Sequence, residues 1–429
     1  DADKGSPPGD GGATASVMDN FPVSPSNGFA NTLWLGYYSL INKANIVIDQ
    51  IKNNDAIVAD QNQKNQAEAE ARFLRGYGYF MLVRLFGSVP IVDTVTSSVS
   101  QSNISQSTAA QVYSFIEQDL QFAAGNLPLS WDPLKFPGRL TSGAANGMLA
   151  KVYLTEGKWQ LAMTTAGLVI NSGQYNLSTP YDKIFREEGE NSKESVFEVQ
   201  ATASAAIPSA NGIQYAQIQG IRGSGSWDLG WGWNTPSVQL EAAYEPGDPR
   251  KNRTILYTST PDTTYKTIYG EDIPKGLPNP RYNNKVYTNP AIRASIGNRF
   301  GYWFNLRVLR YADVVLMYAE AANESGNSDE ALEKLEWVRA RARAGNNAIL
   351  PPITTTDQNE LRDAIRHERR VELGMEHERF FDLVRWGIAA TTLNAAGKTN
   401  FNDNRDVLLP IPQTQIDLSK GVLKQNPNY

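Results

Sequence analysis

The sequence predicts a mostly α-helical protein in which helix hairpins form a scaffold and a long loop-rich insertion interrupts them. Apolar residues recur at helical spacing in three long stretches. Residues 200–305 lack that spacing and are dense in glycine, proline, tyrosine and tryptophan. The chain has 429 residues, of which 41% are hydrophobic, as in an ordinary globular protein. It has no apolar run of about 18 residues, so we expect no transmembrane helix.

The first stretch, residues 66–90, predicts a buried helix. Its apolar side chains fall on two stripes, one including Phe73 and the other Leu82. A helix that is apolar over much of its girth is expected to be buried. Gly87 and Pro90 are predicted to end it.

The other two stretches, residues 141–173 and 310–343, each predict two helices joined at a glycine. In both, an alanine lies five positions after that glycine. The pairs are Gly157 with Ala162 and Gly326 with Ala331. Small residues at such points let helices approach closely, which is typical of tetratricopeptide-like hairpins. We therefore predict a tetratricopeptide-like helix-hairpin scaffold, an α-α superhelix with degenerate repeats, although helix–glycine–helix units also occur in other helical proteins.

The insertion is predicted to carry short β pieces, at residues 254–259 and 284–288, among turn signals. Long irregular loops on a rigid scaffold are a common place for binding. We assign residues 1–429 to a single domain. Its predicted parts are a helical scaffold at about 31–199 and 306–390, a loop-rich ligand-face insertion at about 200–305, and an extended carboxyl-terminal segment at 400–429.

Charge and composition exclude several functions. The net charge is −5, from 40 basic and 45 acidic residues, and the basic residues form no long run. Nucleic acid and a polyanionic membrane surface are therefore not expected as partners. There is no cysteine, which excludes disulfides, thiolate catalysis and cysteine metal sites. With two histidines in the chain, histidine-based metal sites are nearly excluded as well.

Residues 360–387 form the most charged predicted helix. Its two His-Glu dipeptides, at His367 and His377, invite comparison with zinc proteases, which need a second histidine four residues later. Those positions hold Val371 and Phe381, so the zinc interpretation fails. The charged side chains instead predict i,i+3 and i,i+4 ion pairs, some partly buried against neighbouring helices. They are Glu368, Arg369, Glu372, Glu376, Arg379, Asp382 and Arg385.

No catalytic constellation is visible in the sequence. No local motif marks a pair of carboxylates facing each other across a cleft, as a glycosidase would need. No glycine-rich phosphate loop follows a strand, and no nucleophile elbow is present.

The aromatic residues of the insertion are the strongest functional signal. Residues 223–236, GSGSWDLGWGWNTP, place three tryptophans on a backbone rich in glycine. Sugars present flat C–H faces ringed by hydroxyls, so a site for them combines aromatic platforms with polar side chains. The alternative is that the aromatics form core under long loops. The candidate glycan-binding residues are Trp227, Trp231, Trp303, Asp228, Asn234, Tyr269 and Trp233.

Five segments in order resemble the RagB/SusD family. Residues 69–92 resemble its signature helix, residues 139–162 and 309–326 its repeat helices, residues 365–387 its late charged helix, and residues 408–429 its carboxyl-terminal ending. The resemblance covers nearly the whole chain. Because several motifs occur in the correct order, it is far more specific than any single motif.

The chain departs from the family pattern at a few positions. Asn428 replaces a glycine in the final NPGY, His377 stands where the family often has a glycine, and Gln415 where it often has glutamate. Asparagine tolerates the left-handed backbone, so the last turn is expected to survive. Family members begin with a lipidated cysteine and several dozen further residues, so we expect this chain to lack that amino-terminal segment.

The resemblance implies a surface-exposed outer-membrane lipoprotein of Bacteroidetes-type bacteria. Such proteins capture oligo- or polysaccharide for a SusC-like TonB-dependent transporter and are not enzymes. The implied membrane contact is a lipid anchor, which we expect this chain to lack. No cofactor is implied. Oxygen ligands are plentiful enough for a structural Ca²⁺ ion, although no EF-hand loop is present.

Within this reading we expect Trp227 to be the exposed platform, followed by Trp231 and Trp303, with Trp233 the most buried. Two other classes of function remain open. A protein-interaction scaffold, or a peptide- or protein-nutrient receptor of the same fold, would show no sugar affinity. An α-helical glycoside hydrolase would show turnover and a facing pair of carboxylates.

Overall fold

The computed structural model describes residues 1–5, 12–96, 98, 103–206, 213–259, 262 and 264–429. The described residues are mostly helical, which confirms the predicted fold class. Contacts divide the chain into two compact units. The first comprises residues 1–10, 133–138 and 158–379, and the second residues 11–132, 139–157 and 380–429. The assignment of the whole chain to one domain stays a prediction.

All the described strands lie in the first unit. They form three two-stranded antiparallel sheets. The pairs are Ala2–Asp3 with Thr235–Pro236, Ser195–Val199 with Leu306–Arg310, and Ile255–Tyr257 with Arg281–Asn283. The α-helices of this unit are Trp159–Ile170, Tyr181–Ile184, Tyr215–Gln219, Val238–Ala243, Arg250–Thr254, Pro290–Ile296, Tyr311–Glu324, Ser328–Arg343 and Gln358–Glu372.

The second unit is built from longer helices, and none of the described strands lies in it. Its α-helices are Gly12–Asn20, Gly28–Asn53, Gln61–Phe86, Ala109–Asn126, Ser142–Thr155, Ala389–Ala395 and Gln413–Leu418, and the helix Arg379–Arg385 begins at the boundary. No helix of the described ranges has both the length and the apolar character needed to cross a membrane.

The helix Gln61–Phe86 is the core of the second unit. The helix follows a capping box at Asp60, and its first residue, Gln61, lies five residues before the predicted stretch. Gly87, with φ +72°, ends it. Phe73 and Phe80 have no exposed surface, so the predicted burial is confirmed.

The tetratricopeptide-like hairpin in the first unit has the predicted form. The helices Tyr311–Glu324 and Ser328–Arg343 pack against each other across a turn at Gly326, whose φ is +82°. The helix Trp159–Ile170 packs against Tyr311–Glu324 as well. Ala331 is completely buried, as the close approach of paired helices requires.

The charged stretch 360–387 is not one helix. The helix Gln358–Glu372 stops and a new helix starts at Arg379, because Met375 and His377 both adopt φ +69°, outside the helical region. The position where the related family often has glycine is thus one of left-handed backbone.

Most ion pairs of this stretch connect different elements, so the predicted pattern of pairs within one helix is largely wrong. Glu368 and Glu372 both accept from Arg250, at 2.5 and 3.1 Å. Arg310, on a strand, pairs with Glu372 and Glu376. The pair Arg385–Asp382 does follow i,i+3 spacing, at 2.8 Å.

The insertion differs from its prediction in detail. Ile255–Tyr257 is a strand, as expected, whereas residues 284–288 are not. There the strand is Arg281–Asn283, followed by the 3-10 turn Asn284–Val286. Four short helices, of five to seven residues, also lie in this region. Its residues 207–212, 260, 261 and 263 lie outside the described ranges.

The carboxyl-terminal segment 400–429 was expected to be extended, but it contains the helix Gln413–Leu418. Asn428 has φ +67°, which confirms that asparagine takes the left-handed conformation at the position of the family's glycine.

Candidate functional site

The tryptophan-bearing loop folds back onto residues 217–221 of the same unit. The backbone N–H groups of Leu229, Trp231 and Trp233 donate to the carbonyls of Ile221, Gln217 and Ile218 at 2.9, 2.8 and 3.0 Å. The two backbone segments therefore lie in direct contact, and the tryptophan side chains project from backbone that is fixed by hydrogen bonds.

The glycines of the loop make this contact possible. A Cβ at Gly230 would lie 2.2 Å from the carbonyl oxygen of Gln217, and one at Gly220 would lie 2.5 Å from that of Leu229. No larger residue fits without moving the backbone. The high glycine content is thus architectural, since it lets the loop lie flat on its neighbour.

The amino-terminal residues secure the other side of the loop. The strand Ala2–Asp3 pairs with Thr235–Pro236, and the backbone N–H of Asn234 donates to the carbonyl of Lys4 at 3.1 Å. The side-chain amide of Asn234 donates to Gln219 at 2.6 Å. Asn234, predicted as a sugar-binding residue, therefore uses its amide inside the protein.

Trp231 and Trp233 form a pair of indoles at the surface. Their ring centroids are 5.3 Å apart at an interplanar angle of 61°. Trp231 is 37% exposed, whereas Trp227 and Trp233 are half-buried, so the expectation that Trp227 is the most exposed platform is wrong. The ammonium of Lys4 lies 5.4 Å from the Trp233 ring, within cation–π distance.

Trp227 belongs to a second aromatic group. Its ring stacks on Tyr287 with centroids 6.4 Å apart at 27°, and Tyr287 lies 6.2 Å from Tyr269. Tyr287 is buried and joins two of the predicted site residues. The prediction did not include it in the site, and the available signal was its place in the same aromatic-rich insertion.

Trp303 does not offer an exposed face, so its predicted role as a platform is wrong. It is 3% exposed, and its Nε1 donates to Oε1 of Glu187 at 3.0 Å. It is also more buried than Trp233, which was expected to be the most buried. The hydroxyl of Tyr269 donates to Oε2 of the same carboxylate at 2.8 Å. Burial, together with the Glu187 charge, raises the pKa of Tyr269 well above its usual value.

A surface ion pair adjoins Trp227. Oδ2 of Asp228 lies 2.6 Å from Nη2 of Arg299, and the two side chains are 36% and 50% exposed. Both groups keep further hydrogen-bonding capacity toward solvent. Arg299 was not among the predicted residues, since a single arginine 71 positions away gives no local signal.

The described side chains of the site form no cluster of metal-ligating residues. Over the described ranges, no group of three or more histidine, cysteine, aspartate or glutamate side chains is placed to hold an ion. What the arrangement offers is flat apolar surface beside polar donors and acceptors. An exposed aromatic face on the loops of a helical protein is typical of a binding protein, and this is the class to which the fold and the site point.

Family models extend this classification. One described as "SusD family" matches residues 236–429, and one described as "Starch-binding associating with outer membrane" matches residues 14–154. SusD-like protein P2 of Formosa agariphila is 30% identical over 427 residues, covering 96% of this chain and 83% of that protein. The chain belongs to the SusD family, so the resemblance predicted from its motifs is confirmed.

Solved structures of the same family share the fold. A protein described as "Laminarin binding SusD-like protein" has a TM-score of 0.81 and 29% identity, covering 100% of this chain and 91% of its own. Surface glycan-binding protein A of Bacteroides thetaiotaomicron, in complex with laminarihexaose, has a TM-score of 0.80 and 25% identity, covering 100% and 92%. The descriptions of both relatives name carbohydrate binding, which agrees with the prediction that the chain is not an enzyme.

Proposed function

We propose that this protein is a surface-exposed outer-membrane lipoprotein that captures a glycan of the laminarin type for import by a SusC-like TonB-dependent transporter. The glycan stacks on Trp231, with Trp233 and Trp227 extending the apolar surface. Support for the ligand class comes from two structural relatives whose descriptions name laminarin or laminarihexaose. Support for the location comes from a family description that mentions the outer membrane.

The observation that carries the proposal is the exposed Trp231 on a fixed backbone. Its indole is 37% exposed, and its backbone N–H is held at 2.8 Å by Gln217. A ring presented by rigid backbone loses little conformational freedom when a sugar stacks on it. The loop is thus preorganised for a flat ligand face.

Polar groups beside the indoles supply hydrogen bonds to sugar hydroxyls. The Asp228–Arg299 pair follows Trp227, and Lys4 lies over Trp233. The described site combines both signs of charge, which suits a neutral polyhydroxyl ligand better than a polyanion. At an open face, an affinity in the micromolar to millimolar range is expected, about −8 to −4 kcal/mol.

The test is calorimetric titration of laminarihexaose and a panel of other glycans into three proteins. These are the wild type, Trp231→Ala and the matched control Trp337→Ala, whose tryptophan is 36% exposed on the helix Ser328–Arg343. Trp231→Ala should weaken binding at least tenfold, while Trp337→Ala should leave it unchanged. Equal effects of both substitutions, or no glycan binding by folded wild type, would contradict the proposal.

The same sample distinguishes the other classes of function. A peptide mixture that binds where glycans do not would indicate a nutrient receptor for peptides. Release of new reducing ends from a bound glycan would indicate a hydrolase. The membrane location and the transporter partner are tested by purification from outer membranes, where the protein should co-purify with a TonB-dependent transporter. Absence of the protein from the membrane fraction would contradict both.

A further inference from the structure

The first unit also has a concave surface, and none of its described lining residues is a tryptophan of the loop 223–236. It is an open cleft of about 730 Å³ beside the strand pair Ile255–Tyr257 and Arg281–Asn283. This volume falls in the range of about 300–1,000 Å³ that is usual for small-molecule sites. Its lining includes Glu241, Lys251, Asn252, Tyr257, Tyr265 and Arg281.

Two tyrosines give the cleft rigid aromatic walls. The rings of Tyr257 and Tyr265 meet edge to face, with centroids 5.9 Å apart at 74°. The hydroxyl of Tyr265 donates to the carbonyl of Ile255 and accepts from the backbone N–H of Tyr257, both at 3.2 Å. Both rings are partly exposed. Their orientation is set by the protein before any ligand arrives.

One carboxylate organises the polar side of the cleft. Glu241 accepts from the hydroxyl of Tyr257 at 3.1 Å and from Nη1 of Arg281 at 2.9 Å, and its Oε1 lies 3.4 Å from the ammonium of Lys251. Such linked hydrogen bonds polarise one another. With the carboxylate of Asp262, which also lines the cleft, the wall has two carboxylates and two cations, so its charges are balanced.

Several polar groups of the cleft retain unused hydrogen-bonding capacity. Nη2 of Arg281 and the side-chain amide of Asn252 have no hydrogen-bond partner within the described ranges. The ammonium of Lys251 has three donors, and the Lys251 side chain is 37% exposed. Two other carboxylates that line the cleft are already paired, Asp248 with Arg250 and Glu245 with Arg339, each at 2.8 Å.

We infer that this cleft is a second carbohydrate-contact site that takes a short stretch of neutral sugar chain against Tyr257. The inference rests on the proposed function, since it assumes that the ligand is a glycan. Aromatic walls bind the apolar sugar faces, while Arg281, Lys251 and Asn252 bind hydroxyls. The balanced charges disfavour a polyanionic chain.

Arg281 links the cleft to the tryptophan loop. Its Nε donates to the carbonyl of Pro236 at 3.1 Å, and Pro236 lies three residues after Trp233. A long glycan that engages both surfaces would gain avidity, because the second contact becomes intramolecular. Polymer binding should therefore depend on the cleft more than binding of a short oligosaccharide does.

The experiment compares laminarihexaose with laminarin polymer by titration. The variants are Tyr257→Ala and the exposed double variant Lys251→Ala/Asn252→Ala, which places little demand on folding. Each is made in the wild type and in the Trp231→Ala background. Leu168→Ala, an exposed substitution on the helix Trp159–Ile170, is the control.

Both cleft variants should weaken polymer binding at least fivefold in the wild-type background and remove residual hexaose binding in the Trp231→Ala background. Polymer and hexaose affinities that stay unchanged in both cleft variants, while Trp231→Ala abolishes binding, would overturn the second site alone. Absence of binding of either sugar to wild type would overturn the second site and the laminarin-type ligand together.

Discussion

Glu187 holds Trp303 in place, because Oε1 of its carboxylate accepts the indole N–H at 3.0 Å. The same oxygen accepts the backbone N–H of Asn289 at 3.0 Å, and the other accepts the hydroxyl of Tyr269 at 2.8 Å. A single acidic side chain therefore fixes three separate parts of the insertion behind the aromatic surface. Trp303 is therefore a core residue. Tyr269 packs against Tyr287, and Tyr287 stacks on Trp227, so the position of Tyr269 also affects that of Trp227.

Replacing Glu187 by alanine is predicted to destabilise the protein by about 1–3 kcal/mol, because the buried indole N–H of Trp303 loses its acceptor. Urea unfolding followed by circular dichroism measures this. The control is Glu188→Ala, whose side chain is 54% exposed and whose nearest ion pair is 3.5 Å long, so it should change the free energy of unfolding by less than about 0.5 kcal/mol. Equal effects of the two substitutions would contradict the stabilising role assigned to the hydrogen bonds that Glu187 accepts.

Gly230→Ala is predicted to disturb the tryptophan loop. The new Cβ would lie 2.2 Å from the carbonyl oxygen of Gln217, so the backbone pairing must open. We expect a loss of about 2 kcal/mol in the free energy of unfolding and weaker glycan binding. The control in the same loop is Gly225→Ala, where φ is +58° and nothing lies within 4 Å, so strain of about 1 kcal/mol is expected with little change in affinity.

Arg250→Ala is predicted to be strongly destabilising, by about 3–5 kcal/mol, because it leaves buried carboxylates without a counter-charge. Arg250 has no exposed surface and pairs with Asp248, Glu368 and Glu372. Arg253→Ala, at a side chain that is 39% exposed, is the control and should have little effect. Thermal melting of both variants measures this difference. Similar melting temperatures would contradict the stabilising role assigned to the ion pairs of Arg250.

Glu190 is predicted to make the stability depend on pH between about 4.5 and 7. Burial raises its pKa to about 7, and the carboxylates of Glu198 and Glu187 add to this. The backbone N–H of Asn305 and the charge of Arg307 oppose the shift. In this interval the folded protein binds more protons at Glu190 than the unfolded chain does. Its contribution is therefore complete below pH 4.5 and is lost as pH rises through 7.

The measurement is urea unfolding of wild type and Glu190→Gln at several pH values. Relative to the variant, the wild type should lose about 2 kcal/mol of unfolding free energy between pH 4.5 and 7, after allowance for partial solvent exposure of the carboxyl. Parallel curves for the two proteins over that interval would contradict the assigned pKa.

Helix positions were predictable where local chemistry sets them. The buried helix ending at Gly87 and the hairpin turn at Gly326 were both found from periodicity and glycine. The break between residues 373 and 378 was not, because it depends on positive φ at Met375 and His377, residue types that give no such signal. The long-range ion pairs of Arg250 were not predicted for a similar reason, since the spacing of charges along one helix does not indicate partners on another element.

The candidate site was predictable as a region and less so as a list of residues. Composition located the aromatic insertion, but exposure depends on tertiary contacts. Trp303 is buried, and the acceptor that satisfies its N–H is Glu187, 116 positions away. Trp231 is exposed because its backbone is held on Gln217 with the indole outward. Neither contact has a signature in the local sequence.

The most direct test of the central claim is a crystal structure of the protein with laminarihexaose. The account predicts a sugar ring stacked on the indole of Trp231, with hydroxyls in hydrogen-bond contact with the polar groups around Trp227 and Trp233. A hexaose bound elsewhere with Trp231 free of contact, or a crystal soaked at saturating sugar that shows none on the loop 223–236, would contradict it.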